Sequence, residues 1–200
     1  MILKEALQSF HLILASQSPR RKMLLEGLDL EFDIIVRPEV EENFPKGLGK
    51  MDIPVFLAEH KSEHYLDLLK SNTVLITADT IVWHRNELVG KPESLDEARD
   101  ILNVLSGSTH EVVTGVCLRS NKTKRLFSSH SRVFFRELTR QEIDYYVENY
   151  RPLDKAGAYG IQEWIGYIGI EKIEGSFYNV MGLPVQMLYS ELLDFLEAIS

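Results

Sequence analysis

The chain has 200 residues, a formal net charge of −8 and one cysteine. This length allows one substantial core, in a single domain or in two closely joined lobes. The charge argues against a general nucleic-acid binder, so an anionic ligand must meet a local cluster of Lys and Arg together with a metal ion. The lone cysteine, Cys117, excludes an internal disulfide and a thiolate metal site, and its apolar neighbours predict a buried thiol. The sequence shows neither a signal peptide nor an 18-residue apolar run, which predicts a cytoplasmic protein without a membrane partner.

The first predicted strand and helix meet at a serine- and proline-bearing turn. Residues 12–15 are a short apolar run typical of a buried strand, and Ser18 followed by Pro19 predicts the start of a helix. Serine can accept a hydrogen bond from a backbone N–H at a helix N-terminus. Proline suits the first helical position because it has no N–H to leave unpaired.

Arginines at this helix start indicate an anion site. Arg20 and Arg21 lie in the first turn, where the helix dipole disfavours positive charge. With the hydroxyls of Ser16 and Ser18 and the backbone N–H groups, they form a receptor suited to a phosphate chain. The alternative is a solvated basic helix start. The preceding strand favours the phosphate interpretation, because ligands of open α/β sheets gather beyond the carboxyl ends of strands.

Strand and helix patterns alternate along the rest of the chain, which predicts an α/β fold. We expect one domain over residues 1–200, with the link 149–155 as the candidate for a lobe junction. In the first half, the predicted elements are a strand over 32–36, a loop over 38–49, a helix over 53–69, and a strand over 73–83 with a short return strand ending at Gly90. A helix then runs from the capping box Ser94-Leu95-Asp96-Glu97 to Leu105, followed by paired strands over 112–119 and 126–135. The last elements are a helix from the capping box Thr139-Arg140-Gln141-Glu142 to Asn149, short strands over 168–173 and 178–180, and a closing helix over 183–199.

A second candidate site is the pair Asp79-Thr80, inside an otherwise apolar strand. A buried carboxylate must be ion-paired, metal-bound or neutral, because an isolated buried charge is very costly. Asp79 is therefore a candidate to hold a divalent metal or to take a proton from water. The alternative is an aspartate that pairs with a nearby arginine for packing. Thr80 can offer its hydroxyl to a ligand.

Four further charged residues are weaker candidates. Lys91 ends the predicted hairpin in the segment GKP, where its neighbours restrict the backbone. Lys61 lies on a predicted helix, where a solvated face is the usual role of a lysine. Glu41 and Glu42 form an acidic pair in the predicted loop, and plain surface charge explains them without a ligand.

Two glycine-bearing segments complete the candidates. In residues 154–162, small side chains let the backbone approach a ligand, and the Gln162 amide can form paired hydrogen bonds with the edge of a base. Residues 174–184 predict a turn into the last helix. The six histidines show no HxH or HExxH spacing, which argues against a histidine-bound zinc.

Five segments in this order resemble the signatures of the Maf family of nucleotide pyrophosphatases, over residues 12–193. The segments are LASQSPRR, ITADTIV, GKP, DKAGAYGIQ and IEGSFYNVMGLP, and the first ten residues lie outside the match. The resemblance implies hydrolysis of a nucleoside triphosphate to the monophosphate and pyrophosphate with Mg²⁺, Mn²⁺ or Co²⁺, which would clear damaged or non-standard nucleotides. It also implies a homodimer and a fold similar to the inosine triphosphatases, with a mixed twisted sheet flanked by helices and a ligand cleft between two lobes.

The resemblance also assigns roles to individual residues. Asp79 is the expected catalytic base and, with Glu42, the expected metal ligand. Substrate specificity is expected at Arg20, Thr80 and Gln162. The expected phosphate-binding residues are Ser16, Ser18, Arg20, Arg21, Lys61 and Lys91.

The base preference is read from two short segments. Family members that take dTTP and UTP carry Asp-Thr at the catalytic strand, as Asp79-Thr80 does here, whereas members that take 7-methyl-GTP carry Asp-Gln. The chain departs from the family after Gln162, where Glu163 and Trp164 replace the usual glycine and add bulk and charge.

Two other functions remain open on the sequence. One is a nucleotide-binding regulator of cell division without turnover, against which an intact Asp79 argues. The other is a pyrophosphatase for inosine or 7-methyl-GTP nucleotides, which a substrate profile would distinguish.

Overall fold

The structure, a computed structural model, describes residues 2–38 and 43–200. Two compact units are present. The first comprises Met1–Asp79, Thr114–Ser129 and Gly182–Ser200, and the second comprises Thr80–Val113 and His130–Met181. The predicted junction segment 149–155 lies wholly within the second unit.

Helices and strands alternate through most of the described residues. The helices are α1 (Leu3–Ala6), α2 (Pro19–Glu26), α3 (Asp52–Glu63), α4 (Leu95–Leu105), α5 (Arg140–Tyr150), α6 (Trp164–Gly169), α7 (Phe177–Met181) and α8 (Val185–Ile199). The strands are β1 (His11–Leu14), β2 (Asp33–Ile34), β3 (Thr73–His84), β4 (Glu87–Val89), β5 (Thr109–Arg119), β6 (Lys124–Phe135) and β7 (Ile170–Glu174).

The strands form a mixed sheet with the order β2-β1-β3-β5-β6-β7, and β4 pairs with β3. β1 runs parallel to both β2 and β3, whereas β4 is antiparallel to β3 and β7 is antiparallel to β6. Parallel strands joined through helices, together with antiparallel hairpins, confirm the predicted α/β class.

The core of the first unit forms around β1 and β3. Residues 12–14 and 74–76 are buried, as their apolar side chains predict. α3 packs against β5 at Gly115, where a Cβ would overlap the backbone of Pro54 and Val55. Glycine is therefore needed at this position for the helix to approach the strand so closely.

In the second unit, α4 packs against α5. Arg99 of α4 donates to Asp144 of α5 at 2.9 Å, and Leu102 and Tyr146 are buried. α5 begins with the predicted capping box: the Thr139 hydroxyl accepts from the Glu142 amide at 3.3 Å. The reciprocal bond runs from the Thr139 amide to the Glu142 carboxylate at 2.8 Å, so both orphan amides are satisfied.

The capping box predicted at the start of α4 is half wrong. Ser94 Oγ accepts from the Glu97 amide at 3.1 Å, as predicted. The Glu97 carboxylate, however, accepts from the Glu93 amide at 2.7 Å, one residue before the expected donor. A glutamate side chain is long enough to reach either amide, so the pattern alone does not choose between them.

Several predicted element boundaries are also wrong. The predicted helix over 53–69 ends at Glu63 and is followed by a 3-10 turn, Leu66–Leu68, while the predicted strand over 32–36 is reduced to β2. Residues 178–180 are helical in α7 and not a strand. The Asn179 side chain explains this difference, because it donates to the Val112 carbonyl at 3.1 Å and to Ser131 Oγ at 2.9 Å. These tertiary bonds override the strand preference of the apolar neighbours.

None of the helices in the described residues is both long and apolar enough to cross a membrane.

Candidate active site

In the first unit, the turn that follows β1 lies beside the middle of β3. Leu14 is opposite Ile76 in the parallel pair, and the Ala15 amide donates to the Ile76 carbonyl at 2.9 Å. The carboxyl end of β1 forms an edge there while β3 continues to His84, so the serines and arginines after β1 come close to the residues after Ile76. This edge brings together two of the segments that the sequence singled out.

Asp79 is buried at this edge and forms an ion pair with Lys61. The Asp79 side chain is only 8% exposed and that of Lys61 is 24% exposed, and Lys61 Nζ donates to Asp79 Oδ1. The ammonium offsets the cost of keeping a charged carboxylate inside the strand. On sequence alone Lys61 is a weak candidate, because only the structure shows which face of α3 it occupies.

Two contacts fix α3 so that Lys61 can reach Asp79. Thr77 Oγ1 donates to the Ala58 carbonyl of α3 at 2.6 Å, three residues before Lys61. The second contact is the close approach of α3 to Gly115. The packing of α3 therefore sets the position of the Lys61 backbone, from which its flexible side chain reaches Asp79.

Arg21 is hydrogen-bonded to backbone carbonyls. Its Nε donates to the Gly182 carbonyl and its Nη1 to the Ala78 carbonyl, both at 2.8 Å. Because Ala78 directly precedes Asp79, Arg21 helps to hold the backbone beside the carboxylate. A guanidinium has five N–H donors, so this role is compatible with a phosphate contact, although the sequence did not predict it.

The two serines shape the turn before α2. Ser18 Oγ accepts from the Arg21 amide at 3.4 Å, which confirms the predicted N-cap, and Pro19 is the first residue of the helix. Ser16 Oγ accepts from the Ser18 amide at 3.2 Å. Arg20 lies half-buried in the first turn.

In the second unit, Lys91 adjoins the loop that carries Gln162. The Gly157 amide donates to the Gly90 carbonyl at 3.1 Å, which links the end of the β3–β4 hairpin to the loop. Gly157 has a φ of +75°, a conformation that favours glycine. Lys91 is exposed, and Thr80 is half-buried at the start of this unit's part of β3.

Gln162 is half-buried, and its amide oxygen has no hydrogen-bond partner within residues 2–38 and 43–200. A buried acceptor without a hydrogen-bond partner costs free energy. An acceptor left in this state is typical of a group that binds a donor of a ligand. The next residue, Glu163, pairs instead with protein groups: Lys155 at 3.3 Å and the hydroxyl of Tyr146.

The Cys117 thiol is fully buried, as predicted, and burial raises the pKa of the thiol. It hydrogen-bonds to Ser62 Oγ at 3.5 Å and contributes to packing between β5 and α3.

Comparison with known proteins identifies the family. The family described as Maf-like protein matches residues 11–195 of the chain. This protein belongs to the Maf family. The Maf chain is 52% identical over 194 residues to the dTTP/UTP pyrophosphatase of Porphyromonas gingivalis, covering 96% of this chain and 98% of the relative. It is 49% identical over 191 residues to the dTTP/UTP pyrophosphatase of Parabacteroides distasonis, covering 96% and 99%.

Solved structures give a weaker likeness. A HAM1 protein from Coxiella burnetii is 16% identical with a TM-score of 0.41, covering 63% of the Maf chain and 73% of that chain. A nucleoside-triphosphatase, or dITP/XTP pyrophosphatase, from Mycobacterium abscessus is 15% identical with a TM-score of 0.37, covering 72% and 97%.

The donors of the Maf protein fit a divalent cation held jointly with a substrate. Within the described residues, no group of three or more His, Cys, Asp or Glu side chains is arranged to hold a metal by itself. Mg²⁺ is commonly bound by one or two carboxylates together with substrate phosphates, and Asp79 can supply one such carboxylate. The predicted partner Glu42, like its neighbour Glu41, lies outside the described residues.

Sequence reasoning missed Lys155 and Tyr146 of the Maf chain. Lys155 is 8% exposed and Tyr146 is fully buried, and both contact Glu163. The one available signal was a lysine inside a segment of small and apolar residues, since lysine is rarely buried unless it is paired.

Proposed function

We propose that this Maf protein hydrolyses dTTP and UTP to the nucleoside monophosphate and pyrophosphate. The observation that carries the proposal is the buried Asp79 of β3, paired with Lys61. A carboxylate beside a cation is suited to general-base work. The relatives that are about half identical over nearly the whole chain are named dTTP/UTP pyrophosphatases, which supports the substrate.

Asp79 is the proposed base. Its carboxylate orients a water molecule towards the α-phosphorus and accepts a proton as the P–O bond forms, and pyrophosphate leaves. The Lys61 ammonium pairs with the Asp79 carboxylate before the reaction and offers positive charge to the phosphate oxygens during it. Asp79, with Glu42, would hold Mg²⁺, Mn²⁺ or Co²⁺, which would neutralise charge on the triphosphate.

The proposed phosphate contacts are positively charged side chains and hydroxyls from separate segments. Electrostatic help is worth most where charge builds up in the transition state, and four cations suit a leaving group with two phosphates. The proposed contacts are Ser16, Ser18, Arg20, Arg21, Lys61 and Lys91.

The proposed base contacts are Thr80 and Gln162. The buried Gln162 oxygen can accept from N3–H of thymine or uracil, while the amide nitrogen can donate to O4. A base without that donor would leave the oxygen unpaired, which opposes its binding. Cytosine lacks that donor, whereas guanine presents an N–H beside a carbonyl oxygen as thymine does. The preference for dTTP and UTP over 7-methyl-GTP therefore rests on Thr80, which is shorter than the glutamine of that branch. We also propose a homodimer, which light scattering after size-exclusion chromatography tests.

Turnover of a nucleotide panel tests the proposal. We expect dTTP and UTP to have kcat/KM values roughly 10²-fold above those of GTP, ITP and 7-methyl-GTP. If the protein binds dTTP but does not hydrolyse it with Mg²⁺, Mn²⁺ or Co²⁺, the result would favour the nucleotide-binding regulator. A preference for ITP or 7-methyl-GTP would favour a pyrophosphatase for those nucleotides.

A further inference from the structure

Glu163 stands directly after the proposed base contact, and both of its carboxylate oxygens are engaged by protein groups. Oε1 lies 3.3 Å from Lys155 Nζ. Oε2 accepts a hydrogen bond from the Tyr146 hydroxyl. The side chain is only 20% exposed. Its charge is therefore directed into the second unit and compensated there, and is not presented to a ligand.

The partners of Glu163 are themselves fixed. The Lys155 side chain is 9% exposed and also contacts Asp154 Oδ1 at 2.7 Å, so its ammonium is held between two carboxylates. Tyr146 is fully buried on α5, and its hydroxyl accepts from the Gly160 amide at 3.0 Å while it donates to Glu163. Burial and the nearby Glu163 charge raise the pKa of Tyr146, so the phenol remains a donor.

This arrangement leaves little freedom to the segment that carries Gln162. The Glu163 amide donates back to the Gly160 carbonyl at 3.0 Å, and the Gly166 amide donates to the Glu163 carbonyl at 2.8 Å. A Cβ at Gly160 would lie 2.9 Å from Glu163 Oε2 and 3.0 Å from Gln162 Nε2. The Glu163 carboxylate and the Gln162 amide therefore pack on the same glycine.

We propose that Glu163, together with Lys155 and Tyr146, is a positioning residue that sets the orientation of the Gln162 amide for the pyrimidine base. Pre-organised polar groups discriminate between ligands better than mobile ones, because a mobile amide can adapt to the wrong base. The contacts of Glu163 thus hold the segment that carries Gln162. The proposal rests on the proposed dTTP/UTP pyrophosphatase function.

A double-mutant cycle between Glu163 and Gln162 tests this role. We expect Glu163→Ala to raise the KM for dTTP about tenfold and to lower the preference for dTTP over dCTP, whose base has the reversed donor and acceptor, by a similar factor, with kcat within about threefold. If Glu163 acts through Gln162, the double variant Glu163→Ala/Gln162→Ala should match Gln162→Ala within about twofold. Effects that multiply instead would contradict the proposal.

Matched variants separate positioning from general destabilisation. Glu171→Ala removes an exposed glutamate of the same unit and should leave both KM and the dTTP preference unchanged. Glu163→Gln keeps an acceptor for Tyr146 and should recover part of the preference, whereas Tyr146→Phe should reproduce the KM effect of Glu163→Ala. Should Glu163→Ala fail to fold, Glu163→Gln and Tyr146→Phe provide the same comparison.

The outcomes also distinguish the two proposals. Wild-type protein that does not turn over dTTP or UTP would overturn the proposed function, and the positioning role with it. Wild-type protein that prefers dTTP, with a Glu163→Ala variant of unchanged KM and preference, would overturn the positioning role alone.

Discussion

Two pairs of a lysine with an acid, both within the described residues, differ in which partner is the more deeply enclosed. In the pair Asp79–Lys61 the carboxylate is the enclosed member, with 8% exposure against 24% for the lysine. In the pair Lys155–Glu163 the lysine is the enclosed member, with 9% against 20%, and a tyrosine binds the second carboxylate oxygen. A lysine–carboxylate pair can therefore hold a proposed catalytic base, as in Asp79–Lys61, or stabilise a loop, as in Lys155–Glu163.

Removing the lysine from each pair should give different results. Lys155→Met leaves Glu163 without its cation in a buried setting, and we expect the free energy of unfolding to fall by about 3 kcal/mol with little change in kcat. Lys61→Met should lower kcat/KM for dTTP about 10²-fold, and it should also reduce stability because it removes the ammonium beside the more enclosed Asp79 carboxylate. Urea denaturation and steady-state kinetics check both variants. Equal losses of activity in the two variants would contradict the assignment of different roles to the two pairs.

Asp79→Asn tests the catalytic half of the comparison. The substitution is nearly isosteric but deletes the proposed base, so we expect kcat to fall about 10²-fold or more while the melting temperature changes little. Asp96→Asn, at an aspartate with a 94% exposed side chain, is the control and should be as active as the wild type. Retention of more than about a tenth of the wild-type kcat would exclude Asp79 as the base.

The packing of α3 on β5, which positions Lys61, can be disturbed without changing any charged residue. Gly115→Ala inserts a methyl group into the backbone of Pro54 and Val55, and we expect a loss of about 1–3 kcal/mol in the free energy of unfolding. Gly90→Ala is the matched control, since nothing lies within 4 Å of its Cβ position. Similar stability of the two variants in urea would show that α3 does not depend on this contact.

A buried neutral pair in the second unit predicts a pH dependence of stability. His110 is 1% exposed, contacts the Tyr159 hydroxyl at 2.7 Å, and has its pKa lowered to about 3 by burial and by the nearby His84. The unfolded chain therefore binds a proton that the folded chain does not between about pH 6.5 and pH 3. The free energy of unfolding should fall across that range as the pH is lowered, by at most about 1.4 kcal/mol per pH unit from this group.

Substituting the histidine isolates this contribution. His110→Gln keeps a hydrogen-bonding side chain but cannot titrate, so the variant should lose less stability than the wild type between pH 6.5 and pH 4. Parallel pH profiles of the two proteins would assign the dependence to other groups.

The parts of the molecule that depend on local chemistry were predictable from the sequence. Ser18 and Pro19 gave the start of α2, Thr139 and Glu142 gave the capping box of α5, and the apolar run around Cys117 gave its burial. Asp79 was identifiable because a charged residue in an apolar strand needs a reason to be there.

The parts that depend on tertiary partners were not predictable. Nothing in the local sequence shows that Asn179 bonds to Val112, which makes α7 helical, or that Arg21 bonds to Ala78. The charge of Glu163 was noted as a departure from the family, but its meaning depends on Lys155 and Tyr146, which come from other segments. Long-range contacts of this kind are absent from any short motif.

The position of attack is the most direct test of the account. Hydrolysis of dTTP in ¹⁸O-labelled water, followed by mass spectrometry of early products, reports which phosphorus accepts the water. Attack at the α-phosphorus predicts one ¹⁸O atom in dTMP and unlabelled pyrophosphate. Labelled pyrophosphate, or dTDP with labelled orthophosphate, would contradict the proposed reaction.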